Sequence, residues 1–112
     1  MADCLFCKII AREIPAEIIA EGDDYLAFKD IHPQAPVHFL VIPKLHIQSL
    51  AHVADPETLL ATMGAIVEVA REQGLDENGY RVVNNVGKYG GQTVNHIHFH
   101  VLSGRRLTWP PG

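Results

Sequence analysis

Residues 96–102 read His-Ile-His-Phe-His-Val-Leu, and this strict alternation limits what the chain can fold into more than any other stretch. Side chains change face at every residue of a strand, so an alternating run has one apolar and one polar side only when it is extended. His96, His98 and His100 then share one face, while Ile97, Phe99 and Val101 enter a core on the other. Residues two apart on a strand face lie about 6.5–7 Å from each other. Two neighbouring imidazoles can therefore meet one phosphate or one metal ion.

Three uses of such a face are open at this point. It can be a solvated surface, although a solvated strand more often carries Lys, Thr, Glu and Ser. It can bind metal, because a His-x-His pair on a strand is a good zinc chelate. It can be catalytic: an imidazole of ordinary pKa, about 6.5, is mostly neutral and nucleophilic at pH 7. A second histidine beside it can hydrogen-bond or donate a proton. The segment before the strand, Gly87-Lys88-Tyr89-Gly90-Gly91-Gln92-Thr93, is a glycine-rich loop of the kind that turns backbone N–H groups toward an anion. Directly ahead of three histidines, it predicts an oxyanion cradle beside a nucleophile.

The remaining sequence supplies a sheet for this strand. Asp3 is placed to cap a short helix running to about Arg12, with Phe6, Ile9 and Ile10 as its buried stripe. Pro15 ends it. Ile18 to Ala20 and Tyr25 to Phe28 flank the turn Gly22-Asp23-Asp24 and read as a hairpin. Between prolines, Val37 to Ile42 is nearly all apolar, as in a central strand covered on both faces. Asp55 and Pro56 open a helix in which Leu59, Leu60, Met63, Ile66, Val67 and Ala70 recur at helical spacing. Gly74 is its C′ glycine. Asn78-Gly79 turns into a strand from Tyr80 to Val86, and the last strand runs from Asn95 to Leu102. The order predicts an α+β fold with a mainly antiparallel five-stranded sheet and two helices, one domain over residues 1–112.

Composition narrows the ligand. Of the 112 residues, 47% are apolar and 20% charged, with nine Lys and Arg against thirteen Asp and Glu and a formal net charge of −4. A nucleic-acid binder needs a basic surface, so a small ligand is expected. The acidic start and the lack of a long apolar run predict a cytoplasmic protein with no secretory signal and no membrane span. In that reducing compartment Cys4 and Cys7 are expected as thiols or metal ligands, not as a structural disulfide.

The residues now on the page resemble the histidine-triad family, in its nucleotide-binding, phosphoramidase-type branch. The family motif is His-φ-His-φ-His-φ-φ with φ apolar, which residues 96–102 match. The likeness extends to Phe6-Cys7-Lys8-Ile9-Ile10, Glu13-Ile14-Pro15, Ala27 to Ile31, Pro33 to Pro36, the strand Val37 to Ile42 with Pro43-Lys44, Gly90-Gly91-Gln92 and the tail Trp109-Pro110-Pro111-Gly112. It implies a homodimer whose sheets join across the interface. It also implies hydrolysis of purine nucleoside 5′-phosphoramidates, adenosine phosphoramidates among them, through a nucleotidyl-histidine intermediate. His98 matches the nucleophile and His100 its phosphate-contacting neighbour. Gly91, Gln92 and Thr93 match the phosphate loop, with Thr93 where the family usually has Ser. Asp30 and Ile31 match a ribose-binding pair, and Asn85 a polar residue near ribose and phosphate. Phe6, Ile9 and Phe28 are expected to form an apolar base pocket that suits either purine.

Some relatives, including uridylyltransferases of the same superfamily, are similar in a Cys-x-x-Cys, a distant His after a proline and the first triad histidine. That resemblance implies a structural zinc on Cys4, Cys7, His46 and His96. His32, His38 and His52 are expected as ordinary polar residues. The apolar, proline-stiffened tail at Trp109 is expected to dock, and the resemblance points to the partner subunit's site. Two other functions compete: a nucleotide-binding adaptor with incidental hydrolysis, and a zinc hydrolase, which lacks a glutamate near the triad to act as base.

Overall fold

A computed structural model describes residues 3–112. The elements run α1 (Leu5–Ile10), β1 (Ile18–Glu21), β2 (Tyr25–Lys29), β3 (Val37–Pro43), α2 (Leu60–Glu72), α3 (Leu75–Asn78), β4 (Arg81–Asn84), α4 (Gly87–Gly90) and β5 (Phe99–Ser103), with 3-10 turns at Leu50–His52 and Pro56–Leu59. The five strands form one sheet in the order β1-β2-β3-β5-β4, and every neighbouring pair is antiparallel. The α+β expectation holds. The two expected helices are joined by two single-turn helices, α3 and α4.

The sheet has a core on each face, and β3 at its centre shows why. Phe39 and Val41 join Ile97, Phe99, Val101 and the buried side of α2. Leu40 and Ile42 point the other way, to Phe6, Ile9, Leu26 and Phe28 under α1. A near-continuous apolar run is what a strand buried on both faces requires. Its one interruption, His38, shares a parity with Leu40 and therefore lies on the α1 face.

Several local expectations change. Cys4, not Asp3, caps α1: its sulfur accepts the Cys7 N–H at 3.3 Å, a thiol taking the place usually filled by an oxygen. The helix stops at Ile10, before Arg12 adopts a left-handed φ of 64°. Asp55 caps as expected, but the turn it opens is 3-10 before α2 begins at Leu60. Within α2, Ile66 and Ala70 are buried with Thr62, Ala65 and Val69, whereas Leu60, Met63 and Val67 are exposed. The helix thus carries two apolar faces, and only one meets the sheet. The strand expected from Tyr80 spans Arg81–Asn84, and the glycine-rich loop winds into the turn of α4.

The strand expected from Asn95 enters the ladder only at Phe99. The preceding backbone groups find other partners: the Ile97 N–H donates to the Ile47 carbonyl at 2.7 Å, and the Asn84 side chain donates to the His98 carbonyl at 2.9 Å. Buried backbone polar groups must be paired somewhere, and here side chains and a loop do it. The alternation survives this departure, with Ile97, Phe99 and Val101 all in the α2-side core. Among the described residues no helix is long and apolar enough to cross a membrane.

Candidate active site and candidate metal centre

His98 is 3% exposed. Its Nδ1 lies 2.8 Å from the His96 carbonyl oxygen. A carbonyl only accepts, so Nδ1 carries the proton and the free lone pair sits on Nε2. His100 stands beside it, ring centroids 5.1 Å apart.

His100 is held by a residue expected to be incidental. The Gln34 backbone N–H donates to His38 Nδ1 at 3.0 Å, which leaves the proton of His38 on Nε2. That nitrogen is 2.9 Å from His100 Nδ1, so His100 in turn carries its proton on Nε2. A backbone N–H cannot reverse its polarity, and the whole chain of tautomers follows from it. Burial pushes His38 below the ordinary imidazole range, against the pull of Asp30. Burial, with the His98 and His38 rings, pushes His100 down to about 4. Both rings are neutral at pH 7, as the hydrogen bonds demand. His38 is the functional-site residue that sequence reasoning missed.

These side chains open on a cavity. Its walls include Phe6, Ile9 and Phe28, as expected, together with Leu5, Ile14, Pro15, Ala16 and Leu40, and its polar end holds Asp30, Thr93, His98 and His100. Ile31 also lines it and is otherwise exposed. Asp30 has one oxygen on the His32 N–H at 2.8 Å. The other oxygen is 3.4 Å from His38 Nε2 and 4.0 Å from His100 Nδ1.

Cys4, Cys7, His46 and His96 converge at the start of α1, with ligand atoms all within 4.8 Å of one another. Sulfur-to-nitrogen distances are 3.4 Å for Cys4–His96, 3.3 Å for Cys7–His46 and 3.6 Å for Cys7–His96. Ordinary zinc–sulfur and zinc–nitrogen bonds at a tetrahedral angle separate such atoms by about 3.5 Å. His96 Nε2 donates to the Pro43 carbonyl at 2.8 Å, which leaves Nδ1 bare toward the sulfurs, as a metal-ligating histidine requires. Burial and the neighbouring Cys4 push the Cys7 thiol up. The donor set fits zinc. Asp30, His38 and His100 also bring three ligand atoms within 4.8 Å, but His38 Nε2 holds a proton there and has no lone pair to give.

The HIT domain matches residues 11–107. The chain belongs to the HIT domain family. It is 54% identical to an uncharacterised HIT-like protein of Synechococcus elongatus over 98% of this chain and 97% of that one. Its structure is similar to a HIT family hydrolase from Legionella pneumophila, with TM-score 0.95 and 51% identity over 98% of this chain and 100% of that one. It is also similar to a histidine triad nucleotide-binding protein from Candida albicans, with TM-score 0.84 and 34% identity over 96% and 83% of the two chains.

In this HIT domain the loop ahead of the triad is built differently from a cradle of free amides. The Gly91 N–H donates to the Lys88 carbonyl and the Gln92 N–H to the Gly87 carbonyl. Gln92 spends its side chain too: Oε1 accepts the Gly87 N–H at 3.0 Å, and Nε2 donates to the Gln48 and Val94 carbonyls at 2.7 and 2.9 Å. Asn85, expected near ribose and phosphate, donates to the Gly90 carbonyl at 2.6 Å. Gly91, Gln92 and Asn85 thus shape the loop from within, while Thr93 is the loop residue that borders the histidine cavity.

Proposed function

We propose that this protein hydrolyses the P–N bond of purine nucleoside 5′-phosphoramidates through a nucleotidyl-His98 intermediate. The observation that carries this reading is the hydrogen bond from His98 Nδ1 to the His96 carbonyl, which leaves Nε2 nucleophilic beside His100 at the polar end of an apolar cavity. In the first step a bond forms between Nε2 and phosphorus and the P–N bond breaks. Its electron pair leaves on the amine nitrogen, which takes a proton from solvent. In the second step water attacks phosphorus, the P–Nε2 bond breaks with its pair returning to the ring, and the proton of water goes to solvent. Amine and nucleoside monophosphate are the products.

The other residues have roles that follow from their places. The Nε2–H of His100 donates to a phosphate oxygen, as does Thr93, and donors fixed in advance at a site of developing charge are the most effective kind. Asp30 and Ile31 hold the ribose, and Phe6, Ile9 and Phe28 back the base. The apolar walls stack adenine and guanine alike. The chain's net charge of −4 favours a small nucleotide over a nucleic acid.

We further infer a structural zinc on Cys4, Cys7, His46 and His96, all four positions filled by protein. It would supply folding energy, not chemistry. We infer a homodimer in which the exposed α2 face, Leu60, Met63 and Val67, and the edge strand β4 meet their copies. An apolar helix face and a sheet edge left unpartnered among the described residues are surfaces that a two-fold contact can cover.

The test is His98→Ala. Turnover of an adenosine phosphoramidate should vanish, while calorimetry still finds nucleoside monophosphate binding. Acid quench of the wild-type enzyme with a slow substrate should yield protein carrying one nucleotidyl group. A variant retaining more than about a tenth of wild-type turnover, about 1.4 kcal/mol in barrier, sinks the covalent mechanism. Turnover that survives chelation removes the catalytic-zinc alternative. Binding without any turnover in the wild type leaves an adaptor.

A further inference from the structure

We propose that the Cys4–Cys7–His46–His96 centre positions the active site, so that metal held there sets both the wall of the nucleoside cavity and the direction of the His98 lone pair. The inference rests on the zinc reading above and adds a coupling to it.

Two physical links run from the centre to the cavity. The first is α1. A helix of six residues is not stable by itself, and this one has a thiol for its N-cap and two of the four metal ligands in and just before its first turn. Phe6 lies between those cysteines in sequence. Its ring packs edge-on against His96, His98 and Phe28 at centroid distances of 5.9, 5.1 and 5.5 Å, and it lines the cavity with Leu5 and Ile9. Whatever fixes Cys4 and Cys7 fixes that wall.

The second link is His96, which is fully buried. Its Nδ1 faces the sulfurs, its Nε2 donates to the Pro43 carbonyl, and its own carbonyl accepts from His98 Nδ1. A shift of His96 moves the acceptor that selects the His98 tautomer. Thiol–imidazole hydrogen bonds alone are weak restraints. Coordination by a metal replaces them with bonds strong enough to fold small domains.

The experiment compares zinc-loaded, chelator-stripped and zinc-reloaded protein. Elemental analysis gives metal content, circular dichroism reports folding, calorimetry measures adenosine monophosphate affinity, and nitrogen-15 shifts report the His98 tautomer. Stripping should weaken binding by about tenfold, within the usual range of coupling between two sites, and should mix the His98 tautomers. Reloading should restore both. Phe6→Leu in loaded protein should keep the metal yet weaken binding, and stripping this variant should cost less than stripping wild type. Should the stripped chain unfold, zinc-loaded His46→Asp decides, since it alters the one ligand outside both α1 and the triad: weaker binding and mixed His98 tautomers support the coupling, and wild-type values of both overturn it. Equal affinity and an unchanged tautomer in protein that does bind metal overturn the coupling and leave the zinc reading standing. Protein that takes up no metal overturns both.

Discussion

His38 Nε2 lies 2.9 Å from His100 Nδ1, across 62 residues of sequence. Because Gln34 already fills the other nitrogen of His38, this contact has one direction, and it hands His100 a donor on Nε2. His38→Leu should lower kcat by about a hundredfold, the cost of misplacing one fixed donor, with a smaller change in KM. His38→Gln can accept from Gln34 and donate to His100, so it should recover part of the loss. Steady-state kinetics on both variants checks this. Equal rates for Leu and Gln would show that the tautomer is set some other way.

The low proton affinity of His100 has a pH signature. An unfolded histidine binds its proton at about 6.5, whereas burial and the flanking imidazoles hold folded His100 at about 4. Between these values the unfolded chain carries more protons, so stability falls as pH is lowered. The contribution of His100 is whole above pH about 6.5 and gone below about 4, and buried His38 acts in the same direction. Ring carbon shifts followed through a pH titration should show His100 still neutral at about pH 5.5, where an unperturbed imidazole is largely charged. An ordinary midpoint would mean that water reaches the ring freely.

Freshly prepared protein should contain about one zinc per chain, and Cys4→Ser with Cys7→Ser should contain none. The paired substitution should lower Tm by roughly 10 °C or more, since structural metal binding is folding energy. Elemental analysis and a thermal melt read the two outcomes. Metal-free protein with a wild-type melt would leave the cysteines as small buried hydrophobes.

Arg81 donates from Nη2 to the Leu107 and Thr108 carbonyls at 3.1 and 3.0 Å, and the tail that follows leaves Trp109 79% exposed. The tail therefore does not serve as cover for its own subunit. A rigid, exposed Trp contributes large apolar area at an interface. Deleting residues 109–112 should leave a folded dimer by sedimentation but change the rate ratio between two phosphoramidates with different leaving groups. Unaltered kinetics on both would show that the tail has no part in the site.

The sheet and both main helices were legible because prolines, glycines and alternation mark them on the chain itself. The His98 and His100 pair, the apolar pocket wall and the convergence of Cys4, Cys7, His46 and His96 were legible as well, the last through resemblance. His38 was not, because its partner is chosen by the register of β3 on β5, which local pattern does not contain. A signal existed: a lone imidazole at an even position of a strand buried on both faces must have a polar partner. Gln92 and Asn85, expected near the phosphate, turn their side chains to the loop itself. A residue that builds a phosphate loop and one that touches the phosphate look alike in sequence, and only the direction of the side chain separates them. The capping thiol of Cys4 was hidden because Asp3, next to it, has the better propensity.

The burial of His98 has a consequence for chemical labelling. Reagents that acylate imidazole act by collision, and His32 and His52 lie exposed while His96, His98 and His38 do not. Diethyl pyrocarbonate will mark the two exposed rings first, of which His32 lines the cavity, so label incorporated and activity lost will not run in proportion. His98, the proposed nucleophile, is among the last rings that a bulk reagent can find, and reaching it takes a molecule shaped to enter the cavity between Phe6 and Asp30.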